Sequence, residues 1–241
     1  MIEAGQTVEM STLIAQLGRA SCQLDLPSPE SSEDRTGSIA ERCRSAVVVV
    51  ARMFRLGESN CWRAAPASGF FITASGALVT SRHVVDCPDY QTIIVMTGDG
   101  RILPVVETLA ADKESDVAIL RVDAGRVPSL PLESGIAVGA RVSVMSHTIG
   151  RYFTFTEGIV CRRSLLREGA SPLEILEISA EFGPGGSGAP VVNERGNAVG
   201  WADALLWLPA VAGSGAGTSP KLIVRECGVS ANIRRLVRKS P

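Results

Sequence analysis

The sequence predicts an all-β protein, a sandwich or a barrel built from short antiparallel strands. Three observations carry that expectation. From Ala46 onward, short apolar runs rich in Val, Ile and Thr alternate with Gly, Pro, Asn and Asp turn residues. Helical periodicity is confined to the two ends of the chain. The 241 residues are 45% hydrophobic, enough for a sizeable core and too apolar for a disordered chain.

The elements follow in order. Residues 1–40 read as an N-terminal extension and linker. Within them Met10, Leu13, Ile14 and Leu17 recur at helical spacing and predict a short amphipathic helix, packed on the body in preference to a partner. Pro27 to Asp34 then reads as a solvated linker. Strands are expected near 46–53, 69–73, 77–80, 91–97, 102–109 and 116–122. A second set falls near 140–146, 153–162, 173–179, 189–193, 197–203 and 220–225, and the link between the sets lies near Gly125 to Ala137. Ala46 to Ala51 is the longest apolar run, and its length and β-branching make it a buried strand. Ser230 to Arg238 predicts a closing helix, with Ser230 as N-cap and arginines towards the C-terminal end.

Charge and composition exclude several classes. Lys plus Arg number 24 and Asp plus Glu 25, for a net charge of −1. That balance does not point to nucleic acid or an anionic membrane surface. Aromatic residues are few, which weakens single-strand binding. No run approaches the roughly 20 apolar residues that span a bilayer. The six cysteines form no C-x-x-C pair, so no structural zinc site is expected. The first residues have neither a basic start nor an apolar core, so the expected compartment is cytoplasmic and the expected thiols are free.

The segment most suggestive of chemistry is Phe182-Gly-Pro-Gly-Gly-Ser-Gly-Ala-Pro190. Glycines permit turns that aim successive backbone N–H groups at one point. Ser187 in such a loop is a candidate nucleophile, although the same composition also suits an ordinary loop. A serine needs a base, and the base needs a carboxylate to fix its tautomer. Upstream stand His83, in Thr80-Ser-Arg-His-Val-Val85, and Asp116, which opens Asp116-Val-Ala-Ile-Leu120. Asp86, Asp112 and Asp123 compete with Asp116 for the acid's role. His147 is taken as a loop or cleft-rim residue.

The His83 segment (G-x-L-V-T-x-x-H-V-V), the Asp116 segment (D-V-A-I-L) and G-x-S-G-x-P around Ser187 together resemble the trypsin-like serine peptidases, closest to the bacterial HtrA/Deg branch. Asn193 to Gly200 also looks like the strand–turn–strand after the serine in that branch. The resemblance covers roughly residues 41–239. Gly186 stands where that family usually has Asp or Asn, and Ala189 replaces a common Gly or Ser.

This resemblance implies two six-stranded antiparallel β-barrels with a C-terminal helix. Barrel one would span about 41–125, barrel two about 126–229 and the helix 230–239; no room is expected after it for the PDZ domain that many HtrA relatives carry. It implies a serine endopeptidase acting on polypeptides through His83, Asp116 and Ser187, with the N–H groups of Gly185 and Ser187 as oxyanion hole. Gly200 and Trp201 would lie on the substrate-pairing strand, although Trp201 also reads as a core aromatic. Glu181 either forms a charged pocket base that selects Arg or Lys, or turns to solvent. Residues 210–218 would border that pocket, and Arg162 to Arg167 reads as a solvated turn. No metal or cofactor is implied. Secreted relatives anchor a new N-terminal ammonium on an Asp at the Gly186 position. Control is therefore expected from a regulatory partner or the N-terminal segment. A catalytically silent peptide-binding or regulatory module and an esterase-like hydrolase remain the other readings.

Overall fold

The structure, a computed structural model, describes residues 2–31, 38–57, 61–166, 172–208 and 222–239. Two closed six-stranded antiparallel barrels make up the body. The first uses β2 (Val47–Arg55), β3 (Trp62–Phe71), β4 (Ala77–Ser81), β5 (Thr92–Thr97), β6 (Ile102–Asp112) and β7 (Val117–Val122), in the order β2-β3-β4-β7-β6-β5. The second uses β8 (Arg141–Ser146), β9 (Thr154–Leu166), β10 (Leu173–Ile178), β11 (Pro190–Asn193), β12 (Ala198–Leu208) and β13 (Leu222–Val229), in the order β10-β13-β12-β11-β8-β9. Closure leaves neither sheet with a free edge.

Each barrel fills with its own aliphatic and aromatic residues. Val48, Val50, Phe71, Leu78, Ile93 and Leu120 belong to one buried cluster. Val142, Val144, Val160, Leu176, Ile178 and Val191 belong to another. A third cluster joins the two halves, with Phe70 and Ile119 of barrel one meeting Trp201, Val192 and Met145 of barrel two. Burying each large side chain contributes about 1.5–3 kcal/mol. This shared core fixes one barrel against the other, and the site depends on that.

The N-terminal segment packs as expected. α1 (Met10–Ala15) and the following 3-10 turn bury Met10, Leu13 and Leu17. Thr108 Oγ1 donates to the Leu13 carbonyl at 3.0 Å, and the Thr108 N–H donates to Gln16 Oε1 at 2.7 Å. Part of the supposed linker is also tied down, since the Glu30 N–H donates to Asn197 Oδ1 at 2.8 Å; Ser32 to Asp34 lie outside the described residues. A second helix, α2 (Ile39–Ala46), went unpredicted. Ser38 and Glu41 form a capping box at its start.

The C-terminal end corrects two expectations. α4 covers only Ser230–Leu236, and β14 (Val237–Arg238) then pairs in parallel with β1 (Cys22–Gln23). Ser230 is not the N-cap; Val229 is. The buried Ser230 hydroxyl donates to the Ala198 carbonyl at 2.6 Å, which fastens the helix to β12. Arg162 to Leu166 is strand rather than turn. Arg162 and Arg163 pair with Glu177 and Glu174 across the β9–β10 ladder. Arg167 and the 210–218 loop lie outside the described residues.

Candidate active site

The acid and base come from two adjoining turns of barrel one. His83 sits on α3 (Arg82–Val85), a single turn pinned by the buried Val84 and Val85. Asp116 closes the β6–β7 turn with φ at +47°, a left-handed backbone that Asp tolerates at a cost of about 1–2 kcal/mol. Three hydrogen bonds hold it there. Its carbonyl accepts from the Arg82 N–H at 2.9 Å, and its Oδ1 accepts from the His83 N–H at 2.9 Å. Its Oδ2 meets His83 Nδ1 at 2.5 Å. The Asp116 hydrogen bond raises the proton affinity of His83 above the usual histidine value; partial burial opposes it, and the charges of Asp116 and Asp203 add to it.

The serine comes from the other barrel, on the loop between β10 and β11. Ser187 is half-buried. Its carbonyl accepts from the Ser68 N–H of β3 at 3.0 Å. The Ser68 hydroxyl donates to the Gly185 carbonyl at 2.8 Å and accepts from the His147 N–H at 3.1 Å. Gly188 shows why a glycine follows the serine. Its φ is +86°, and a Cβ there would stand 2.3 Å from the Ser68 carbonyl and 2.6 Å from Thr80 Oγ1. Thr80 is three residues before His83, so this contact seats the serine loop against the strand that leads to the histidine.

The loop's peptide planes are oriented by their partners. The Pro184 carbonyl accepts from the Ile149 N–H, and the Gly186 carbonyl accepts from the Ala189 N–H. In a trans peptide the N–H points opposite to the C=O. The N–H groups of Gly185 and Ser187 are therefore turned away from those partners, and neither donates to a protein acceptor among the described residues.

A third acidic side chain joins the pair. Single ligand-type atoms of His83, Asp116 and Asp203 all lie within 4.8 Å of one another. Asp203 was missed in the sequence, although a lone carboxylate inside the apolar run Ala198–Leu208 was the available signal. Among the described residues this is the one cluster compact enough to consider for a cation. The bond already joining His83 Nδ1 to Asp116 argues instead for acid–base pairing.

The remaining expected residues divide. Trp201 is fully buried, and Gly200 is paired on both sides, to Val191 and Val229. The Trp201 ring lies over Gly228, where a Cβ would stand 2.2 Å from Cζ2. Both positions therefore serve the core rather than a substrate surface. Glu181 lines a cleft of about 310 Å³ with Phe182, Leu205, Ile223 and Arg225. Its side chain is 77% exposed and lies 3.4 Å from the largely buried guanidinium of Arg225. That placement favours the solvent-facing reading. His147 is fully buried, not on the rim.

The model of the trypsin-like peptidase domain matches residues 67–200, more than half of the chain. The chain belongs to the trypsin-like peptidase domain family. A probable periplasmic serine endoprotease, DegP-like, from Halomonas elongata is 35% identical over 137 residues, covering 55% of this chain and 28% of that relative. The protein of the same description from Rhizobium meliloti is 34% identical over 149 residues, covering 60% of this chain and 29% of that one. The chain thus spans little more than a quarter of the curated relatives it matches. The HtrA-type protease AlgW with a decapeptide superposes with a TM-score of 0.65 at 22% identity, over 82% of this chain and 65% of AlgW. That likeness shows the trypsin-like peptidase fold.

The relatives' names overturn one expectation. They are described as periplasmic, so the cytoplasmic compartment read from the first residues is withdrawn. All six cysteines are nevertheless unpaired, Cys61 and Cys87 included. No helix among the described residues is long and apolar enough to cross a membrane.

Proposed function

We propose that this trypsin-like peptidase domain is a serine endopeptidase that cleaves polypeptides through an acyl-enzyme. The observation that carries the reading is the double hold of Asp116 on His83, one oxygen on the backbone N–H and the other at 2.5 Å from Nδ1. With Nδ1 committed, Nε2 is the nitrogen left to take the Ser187 proton. Ser187 Oγ attacks the peptide carbonyl, and His83 receives the proton and then passes it to the leaving amine. Water repeats the sequence to release the acyl group. Asp116 orients the ring and stabilises its cationic form without taking the proton. The unclaimed N–H groups of Gly185 and Ser187 suit the developing oxyanion. Each such donor is worth about 3–4 kcal/mol in the transition state.

A fluorophosphonate probe and an unfolded polypeptide substrate test this directly. Wild type is expected to label at Ser187 and to cleave. Ser187→Ala loses the label, and Ser187→Ala and His83→Ala each lose turnover by about 10⁶-fold, because triad members act as a unit. Asp116→Asn loses about 10⁴-fold through the wrong tautomer. Turnover by His83→Ala close to wild type would sink the mechanism. A fully folded wild type that neither labels nor cleaves would instead favour a silent peptide-binding module.

A further inference from the structure

The β12–β13 ladder slips at one point. Ala202 pairs with Cys227 and Ala204 pairs with Glu226, so Asp203 between them has no partner. An extra residue of this kind is a β-bulge, which leaves the ladder and re-aims its side chain. Here the bulge turns a carboxylate from barrel two towards the acid–base pair of barrel one. Its side chain comes within 4.8 Å of both His83 and Asp116.

We infer that Asp203 is a positioning residue of this site, which shares a single proton with His83 across Asp116 and so sets the pH at which His83 becomes a free base. The inference rests on the peptidase reading above for its consequence, but not for its titration.

The charges around Asp203 support it. Asp116 faces it from the β6–β7 turn and His83 from α3. Glu226 and Cys227 lie on the neighbouring β13. Arg52 of β2 acts on His83, and among the described residues the groups acting on Asp203 are Asp116, His83 and Glu226, with no Lys or Arg. Two carboxylates this close, without a cation of their own, do not both stay ionised at neutral pH. Burial first, then the charge of Asp116, push the Asp203 carboxyl up to about 7. The Asp116 hydrogen bond meanwhile raises His83 above its ordinary 6.5, so both groups hold a proton more tightly than usual.

One proton then has two places to sit. On Asp203 it makes a neutral carboxyl whose O–H donates to Asp116, and His83 is left neutral with Nε2 free to act. On His83 it makes an imidazolium facing two carboxylates, which is no base. The pair releases its protons in two coupled steps. Asp203→Asn keeps an N–H donor for Asp116 but removes the competing charge. Asp203→Ala removes both.

The chain has only two histidines, so imidazole NMR of the full protein reads His83 directly, with buried His147 reporting that each variant is folded. In wild type the His83 curve is expected to spread over about two pH units in two steps. In Asp203→Asn it collapses to one step whose midpoint lies about one unit lower. The acid limb of kcat/KM moves with it. Asp203→Ala is expected to lower kcat at least tenfold with KM little changed, because Asp116 loses its donor. A single-step wild-type curve, or the same midpoint in Asp203→Asn, overturns the inference, and the wild-type curve needs no variant. If the titration behaves as expected while Ser187 takes no fluorophosphonate, the shared proton stands and the peptidase reading falls.

Discussion

His147 makes the protein's stability sensitive to mild acid. Its ring is fully buried, edge-on to Phe153 with centroids 4.7 Å apart. Nδ1 accepts the Phe153 N–H at 3.0 Å, so the proton of the neutral ring is on Nε2. Nε2 is buried without a hydrogen-bond partner of good geometry. Burial lowers the pKa to about 4, against an ordinary 6.5, and the Val48 backbone opposes this only in part. Protonation would also set a new Nδ1–H against the Phe153 N–H.

The sign follows from linkage. The folded form holds the ring neutral, so between 6.5 and about 4 the unfolded chain binds one more proton than the folded one. The stabilisation from a neutral His147 is complete above 6.5 and is lost as pH falls towards 4. The slope is about 1.4 kcal/mol per pH unit and the total is about 3 kcal/mol. For a chain of this size that is a melting-temperature loss of roughly 6–12 °C. His83, whose pKa is raised, works in the opposite direction, since its contribution is present at low pH and fades as pH rises. The comparison must therefore be wild type against His147→Gln, by thermal melts from pH 4.5 to 7.5. The variant has no imidazole to protonate, so its stability should fall less steeply over that range. Parallel curves for the two proteins would refute the argument.

Three further outcomes are expected. Ser68→Ala removes a buried hydroxyl that serves both the Gly185 carbonyl and the His147 N–H; at about 1–3 kcal/mol for each group left unpaired, kcat should fall tenfold or more and probe labelling should slow. Gly228→Ala places a methyl against the Trp201 ring; overpacking of this kind costs about 1–3 kcal/mol, read as a lower melting temperature and an altered near-ultraviolet tryptophan signal. Glu181 is exposed and already pairs with Arg225, so a peptide library should show no preference for Arg or Lys before the scissile bond, and Glu181→Gln should leave the preference as it was. A strong basic preference abolished in Glu181→Gln would restore the charged pocket.

Much of this was legible in the sequence, because strands with one buried face announce themselves by apolar runs. All twelve barrel strands fall within or against an expected run. The misses have physical causes. The first half of β3, from Trp62 to Ser68, carries Arg, Ala and Pro and has weak β propensity. It is held as a strand by seven residue pairs with β2, from Val49–Ser68 to Arg55–Trp62. α2 did carry a readable S-x-x-E start, whereas the Ser230 signal misled because a serine at a helix start has other uses for its hydroxyl. Asp203 was the hardest. A bulge depends on how two strands slip against each other, and no local pattern in β12 encodes where Cys227 and Glu226 will fall. Ser68 is similar: its partners are 79 and 117 residues away.

These long-range contacts bear on how the serine loop is ordered. Gly186 carries no carboxylate to receive an ammonium. Its place is also tight, since a Cβ there would stand 2.9 Å from the Gly183 carbonyl. The loop is held by other means. Ser68 grips Gly185 and Ser187, Thr148 Oγ1 accepts the Gly183 N–H at 3.0 Å, Ile149 holds Pro184, and the Ala202 carbonyl accepts the Gly188 N–H. Glycine-rich backbone is costly to order, at about 1–2 kcal/mol per residue, and these bonds are what offset that cost. Two of them run from barrel one to barrel two. Order in the serine loop is therefore a property of how the barrels meet, and anything that shifts one against the other acts on it. The N-terminal segment crosses the same seam, because it fastens to Thr108 and Glu107 in barrel one and to Asn197 in barrel two. The serine loop is thus held by the seam between the barrels and the shared core around Phe70 and Trp201, not by a charge buried beside the serine.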